Sequence, residues 1–190
     1  MYDLQVYLEN LVEVDQKRLA DLERNLKSAN SLHEKLSKIK PVAKQCQITA
    51  EEMLDKLLSS GTPPTFSNVG SKASNAVILI ALHSYVDIMR KISKLFHDIA
   101  RHNKHDIPIQ YLAVLDDRIT IIAHKTQVNG TTTYKSHDRE YFIPIKDIQR
   151  MQKNRQFYDL PPLDTATIKQ KLMTKEEYLL NFSFMDKKTQ

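Results

Sequence analysis

The side chains in this chain best suited to chemistry are one histidine and a scattered set of acidic and basic residues. His83 and Asp87 stand four residues apart, the spacing that places two side chains on the same face of a helix. A carboxylate beside an imidazole orients the ring and supports it as a general acid or base. Asp15 and Asp117 are candidates for a second carboxylate. Arg18 and Arg118 could clamp an anionic group, because the guanidinium fork matches the oxygens of a carboxylate or phosphate. Gln16 adjoins Asp15 in the chain, and Gln127 with the Gly130-Thr131 backbone could close over a bound molecule. A histidine and an aspartate four apart supply two metal ligands, fewer than a metal site needs. No cofactor is therefore named, although carboxylates of this kind are compatible with a divalent cation.

Each of these residues also has a plainer reading. His83 could be a satisfied core histidine, Asp87 an exposed partner of Lys91, and Asp117 with Arg118 a local ion pair or helix cap. Asp15 could pair with a cation at the edge of the core, since buried charges are rare unless paired.

The element that must carry His83 is the stretch AVILIALHSYVDIMR, Ala76 to Arg90. A helix apolar on all sides is normally buried, so a central helix is expected over 71–102. Before it, Leu4, Leu8, Leu11, Asp15, Leu19, Leu22, Leu26, Ala29, Leu32 and Leu36 recur by threes and fours, which predicts one long amphipathic helix over 3–39. Asp15 is the only ionisable member of that stripe, and of its neighbours only Arg18 lies near its azimuth. Pro41 should break the pattern, and Thr49 with Glu52 forms a capping-box signature for a helix over 50–59 that stops at Gly61. The segment from Gly61 to Gly70, with two prolines and two glycines, is expected to be a loop.

After Pro108 the period changes. A short helix from Ile109 to Leu115 and a β-hairpin fill 109–145, with Ile119 to Ala123 and Tyr141 to Ile145 as its β-branched and aromatic strands and Asn129-Gly130 as its turn. Asp147 should cap a helix over 147–158, Pro161-Pro162 should stop it, and a last helix is expected over 164–181. The fold class is therefore mainly α, a helical bundle around a buried central helix with a small β-hairpin in the C-terminal half, read as a single domain over 1–190.

Composition narrows the function classes. A chain of 190 residues buries roughly 70% of its unfolded surface and needs no disulfide or structural metal to fold. The single cysteine, Cys46, cannot pair internally and fits a reducing compartment. The N-terminal stretch lacks a basic start followed by an apolar block, and no apolar run reaches the ~18 residues of a membrane span. A cytoplasmic location without a membrane partner is expected. With three glycines in all, phosphate-cradling glycine-rich loops are absent. The net charge of +5 allows an anionic partner without selecting one. Arg150, Lys153 and Arg155 lend the C-terminal third a basic character, but no aromatic residues interleave them as base stacking would require. Nucleic acid is not the expected partner.

Taken in order, Asp15-Gln16-x-Arg18, Val69-Gly70, His83 with Asp87, Tyr111-Leu112-Ala113 leading to Asp117-Arg118, Gln127-x-x-Gly130-Thr131 and Leu160-Pro161-Pro162-Leu163 resemble the pattern of a bacterial family known only as a domain of unknown function. The resemblance runs from about residue 5 to about residue 165, and its specificity lies in the order and spacing of short motifs. It implies a shared polar site more than a shared reaction.

Two functions of different class follow. In the first, the chain is an enzyme of hydrolase or transferase type acting on a small polar or phosphorylated molecule. His83 is its acid or base, Asp87 orients the ring, and Arg18 and Arg118 hold the anion. In the second, it is a non-catalytic helical module, immunity-like or effector-like, that binds a protein partner, and its polar cluster is an internal ion-pair network.

Overall fold

A computed structural model describes residues 3–136 and 139–179. The chain forms two compact units, Met1–Pro108 and Ile109–Gln190.

The first unit is entirely helical. Helix α1 spans Leu4–Lys27 and is N-capped by Asp3, whose Oδ1 accepts from the Gln5 amide at 3.0 Å. The stripe does not continue to residue 39. Ser28, Ala29, Asn30 and Ser31 interrupt it, because short polar side chains compete for the backbone there. Ser28 Oγ donates to the Asn25 carbonyl at 2.9 Å, and Ser31 Oγ accepts from the Glu34 amide at 3.1 Å as the N-cap of a new helix.

That helix, α2, spans Leu32–Ser60 and carries Pro41 in its interior. The expected break at Pro41 does not occur. Pro41 and Ser37 are both exposed, so the Ser37 carbonyl that loses its helical donor lies where solvent can reach it. Thr49, expected to begin a helix, lies in mid-helix and is buried. Gly61 ends α2 at φ +63°, a left-handed stop of the kind glycine favours.

Helix α3, Phe66–Leu82, starts earlier than expected, behind a Thr65 N-cap, and kinks at Gly70 (φ +80°, ψ 161°). Its residues Val69, Ala73, Ala76, Val77, Ile78, Ile80 and Ala81 are buried, as an all-round apolar helix requires. The helix does not run to residue 102. At His83 and Ser84 the amides turn to carbonyls three residues back, and Ser84 Oγ donates to the Ala81 carbonyl at 2.7 Å. A new helix, α4, spans Val86–Asn103 and buries Ile88, Met89, Ile92 and Phe96. Helix α1 packs on both α2 and α3, and α4 packs on α3.

The second unit begins with α5, Ile109–His124, which absorbs the stretch expected to be the first strand. A single helix buries Leu112, Ala113, Leu115 and Ile121 along one side and turns Asp117 inward, so tertiary burial overrides β-propensity. The hairpin exists, but its strands are β1, Thr133–Ser136, and β2, Arg139–Phe142, antiparallel with Tyr134 opposite Tyr141. Helix α6, Ile148–Phe157, is capped by Asp147 as expected. Helix α7, Thr165–Lys171, is capped by Asp164 but ends at Leu172, because the Met173 amide donates to the Phe142 carbonyl of β2 at 3.0 Å. A further helical stretch covers 175–179, and residues 180 and 181 of the expected helix lie outside the described residues. Ile121, Ile143, Met173 and Tyr178 form one apolar cluster of this unit, and Ile145, Met151 and Ile168 another. No described helix is long and apolar enough to cross a membrane.

Candidate functional site

The candidate residues fall into two constellations, one in each unit. The first is built on α1, where Leu8, Val12 and Asp15 form the buried stripe. Asp15 is 0% exposed, and its Oδ2 lies 2.6 Å from Nδ1 of His83. His83 is the C-cap of α3, and its side chain stays 28% exposed. With the carboxylate ionised and the ring neutral, Nδ1 is the donor to Asp15 and the lone pair is left on Nε2.

Arg18, one turn after Asp15, places Nη1 3.6 Å from Asp15 Oδ1 and donates to Thr49 Oγ1 at 3.3 Å. Cys46 on α2 is buried beside these two. Burial and then the charge of Asp15 push its thiol up, against the opposing pull of Arg18. Asp15 Oδ1 accepts no hydrogen bond. A buried carboxylate is costly unless paired, and here the guanidinium and the imidazole flank its two oxygens. The Ser84–Tyr85 peptide is pinned as well: Gln47 Oε1 accepts from the Tyr85 amide at 2.8 Å.

The carboxylate on His83 is thus Asp15 rather than Asp87. The helix break between 82 and 86 removes Asp87 from the face of His83, and Asp87 lies exposed 3.5 Å from Arg90. Gln16 and Arg118 are exposed on α1 and α5.

The second constellation surrounds Asp117, fully buried on α5. Its Oδ1 accepts from the amides of Val128 and Asn129, both at 2.7 Å. Its Oδ2 accepts from the Thr131 amide at 2.8 Å and the Thr131 hydroxyl at 2.7 Å. Burial pushes this carboxyl up, with the Thr131, Val128 and Asn129 donors pulling the other way. Gln127 braces the same loop, donating to the Thr132 and Ile143 carbonyls at 2.9 and 2.8 Å and accepting from the Thr132 amide at 2.9 Å.

From outside the loop, Arg155 Nη1 donates to the Asn129 and Gly130 carbonyls at 2.9 and 3.2 Å, and its Nε to the Pro161 carbonyl at 2.8 Å. Asn129-Gly130 is therefore not the hairpin turn but the tip of a loop folded around a carboxylate. With four bonds, Asp117 has used the acceptor capacity of a carboxylate, and its surroundings are those of a loop clamp. Next to it on α5, Asp116 Oδ2 accepts from the Tyr158 hydroxyl at 2.6 Å.

Gly130 adopts φ +67°, and a Cβ there would stand 3.1 Å from Met151 Sδ and 3.2 Å from Leu163 Cδ1. Gly130→Ala is expected to lose about 1–3 kcal/mol of stability in urea unfolding, from overpacking added to a left-handed backbone. Gly61→Ala, at φ +63° but in open space, should lose only the backbone share of roughly 1 kcal/mol.

Sequence reasoning missed Cys46, Gln47 and Thr49 around Asp15 and His83, and Asn129 and Arg155 around Asp117. A signal for part of the first set was present: 46, 49, 50, 53 and 57 fall on one helical face, and all five are buried. It becomes readable only when α2 is allowed to run through Pro41. Among the described residues, no three His, Cys, Asp or Glu side chains are grouped to hold a metal ion. No family model, curated protein or solved structure matches this chain.

Proposed function

We propose that the first unit carries an acid–base site of hydrolase or transferase type for a small polar or phosphorylated molecule. His83 is its acid or base, and Asp15 orients the ring. The observation that carries this reading is the 2.6 Å contact between the fully buried Asp15 and Nδ1 of a partly exposed His83. A general base needs a lone pair within reach of a substrate proton and a group that keeps the ring in that tautomer. In this reading, Asp117, Gln127, Gly130 and Thr131 shape the second unit and take no part in the chemistry.

A second reading, the non-catalytic binding module, is favoured by one feature. Asp15, His83, Arg18 and Thr49 tie α1 to α3 and to α2, as a structural ion-pair network would.

The test combines spectroscopy and turnover. Ring-nitrogen NMR of labelled protein at a pH where His83 is neutral should show the Nδ1–H tautomer in wild type and a move toward Nε2–H in Asp15→Ala. A panel of phosphomonoesters and small polar esters should include one that wild type turns over. An Nε2–H ring in wild type, or no turnover across the panel, would move the assignment to the binding module.

A further inference from the structure

We propose that this cluster contains a subsite for a phosphoryl oxyanion anchored by Arg18. The inference rests on reading the cluster as a functional site, and it names the group that the ligand carries. A guanidinium has five N–H donors in a planar fork, normally met by a carboxylate at hydrogen-bond distance. Two other arginines use the fork: Arg101 reaches Asp98 at 2.8 Å, and Arg155 is spent on three backbone carbonyls.

Arg18 is different. Its Nη1 stands 3.6 Å from Asp15 Oδ1, beyond a hydrogen bond, and donates instead to the buried hydroxyl of Thr49. The Cys46 thiol lies against the guanidinium, no further oxygen among the described residues accepts from it, and its side chain is 20% exposed. The guanidinium is held in place with donors that no oxygen of the described residues meets.

His83 completes the arrangement from the other oxygen of the same carboxylate. Its Nδ1 is occupied by Asp15, while Nε2 has no partner among the described residues. Asp15 has no exposed surface, so an incoming ligand meets the guanidinium and the imidazole, not the carboxylate. A ligand carboxylate can meet the fork with both oxygens, but when ionised it has no proton to offer the Nε2 lone pair of His83. A tetrahedral phosphoryl group has further oxygens. It can accept from Nε and Nη2 of Arg18 and still donate from a protonated oxygen to the Nε2 lone pair of His83. That difference selects the phosphoryl group.

The experiment is a titration of the labelled full chain with inorganic phosphate at low ionic strength, where screening is weak. The Arg18 Nε–H and His83 ring signals are followed, with acetate as the carboxylate probe. A saturable shift at millimolar phosphate is expected, weakened at least about tenfold in Arg18→Gln, partly restored in Arg18→Lys as a point charge, and absent with acetate. Backbone amide spectra establish that both variants are folded. Three results would each overturn the subsite: no saturable shift at roughly 10 mM phosphate, an undiminished shift in Arg18→Gln, or an equal response to acetate. Phosphate binding without turnover of any panel compound would sink the acid–base reading and leave the subsite standing. Turnover of uncharged esters without phosphate binding would do the reverse.

Discussion

Asp117→Ala is expected to destabilise the chain by about 3–5 kcal/mol, among the larger effects available to a single substitution. The change strands three buried amides, those of Val128, Asn129 and Thr131, together with the Thr131 hydroxyl. Each donor left without a partner costs about 1–3 kcal/mol. It also removes the negative charge that Arg155, itself buried, feels from inside the loop.

The pH dependence follows from the direction of the Asp117 shift. Burial pushes the folded carboxyl above its ordinary range, so the folded chain keeps a proton that the unfolded chain has released. Stability therefore falls as pH rises from the ordinary carboxyl range through the raised value, and is level on either side. Urea unfolding across a pH series should show that slope in wild type and lose it in Asp117→Ala. A variant as stable as wild type, with the slope intact, would mean that the loop is held without Asp117.

The second large effect concerns the proposed acid–base site. Against a panel compound that wild type turns over, His83→Ala is expected to lower kcat by about 10²–10⁴-fold, the usual contribution of a positioned acid or base. Asp15→Asn should lower kcat comparably by another route. The Asn amide can donate to Nδ1, which leaves the proton on Nε2 and removes the basic edge.

The stability of Asp15→Asn separates the two readings of the cluster. A site kept for function at some cost to folding should leave the unfolding free energy level or raise it when the charge goes. A structural ion pair should lose on the order of 3 kcal/mol, because Arg18 is left uncompensated. A level unfolding free energy with reduced kcat supports the enzyme. A loss of that size with kcat unchanged supports the binding module.

Much of the architecture was legible because it depends on local rules. The Asp147 cap, the start of a helix near Asp164, the stop at Gly61 and the buried apolar run of α3 each follow from a few adjacent residues. Asp15 stood out for a similar reason, as the one ionisable residue in an apolar stripe, and it is fully buried. Two of the departures share a cause. Pro41 does not break α2, and Ile119 to Ala123 join a helix rather than a strand, because burial of a whole face outweighs the preference of one or a few residues.

The sequence by itself determined that the protein is mainly helical, that its central helix is buried, and which polar residues stand among apolar ones. Tertiary structure decided which of them meet. Spacing along one helix proposed Asp87 for His83, but three residues of irregular backbone put Asp15, 68 positions away in the chain, on the ring instead. Contacts of that separation leave no periodic trace, since neither residue's local geometry depends on the other. The same holds for Asp117, whose clamp on the loop is formed by backbone amides 11 to 14 residues ahead. Backbone amides have no residue identity, so nothing in the letters of the sequence marks them as partners.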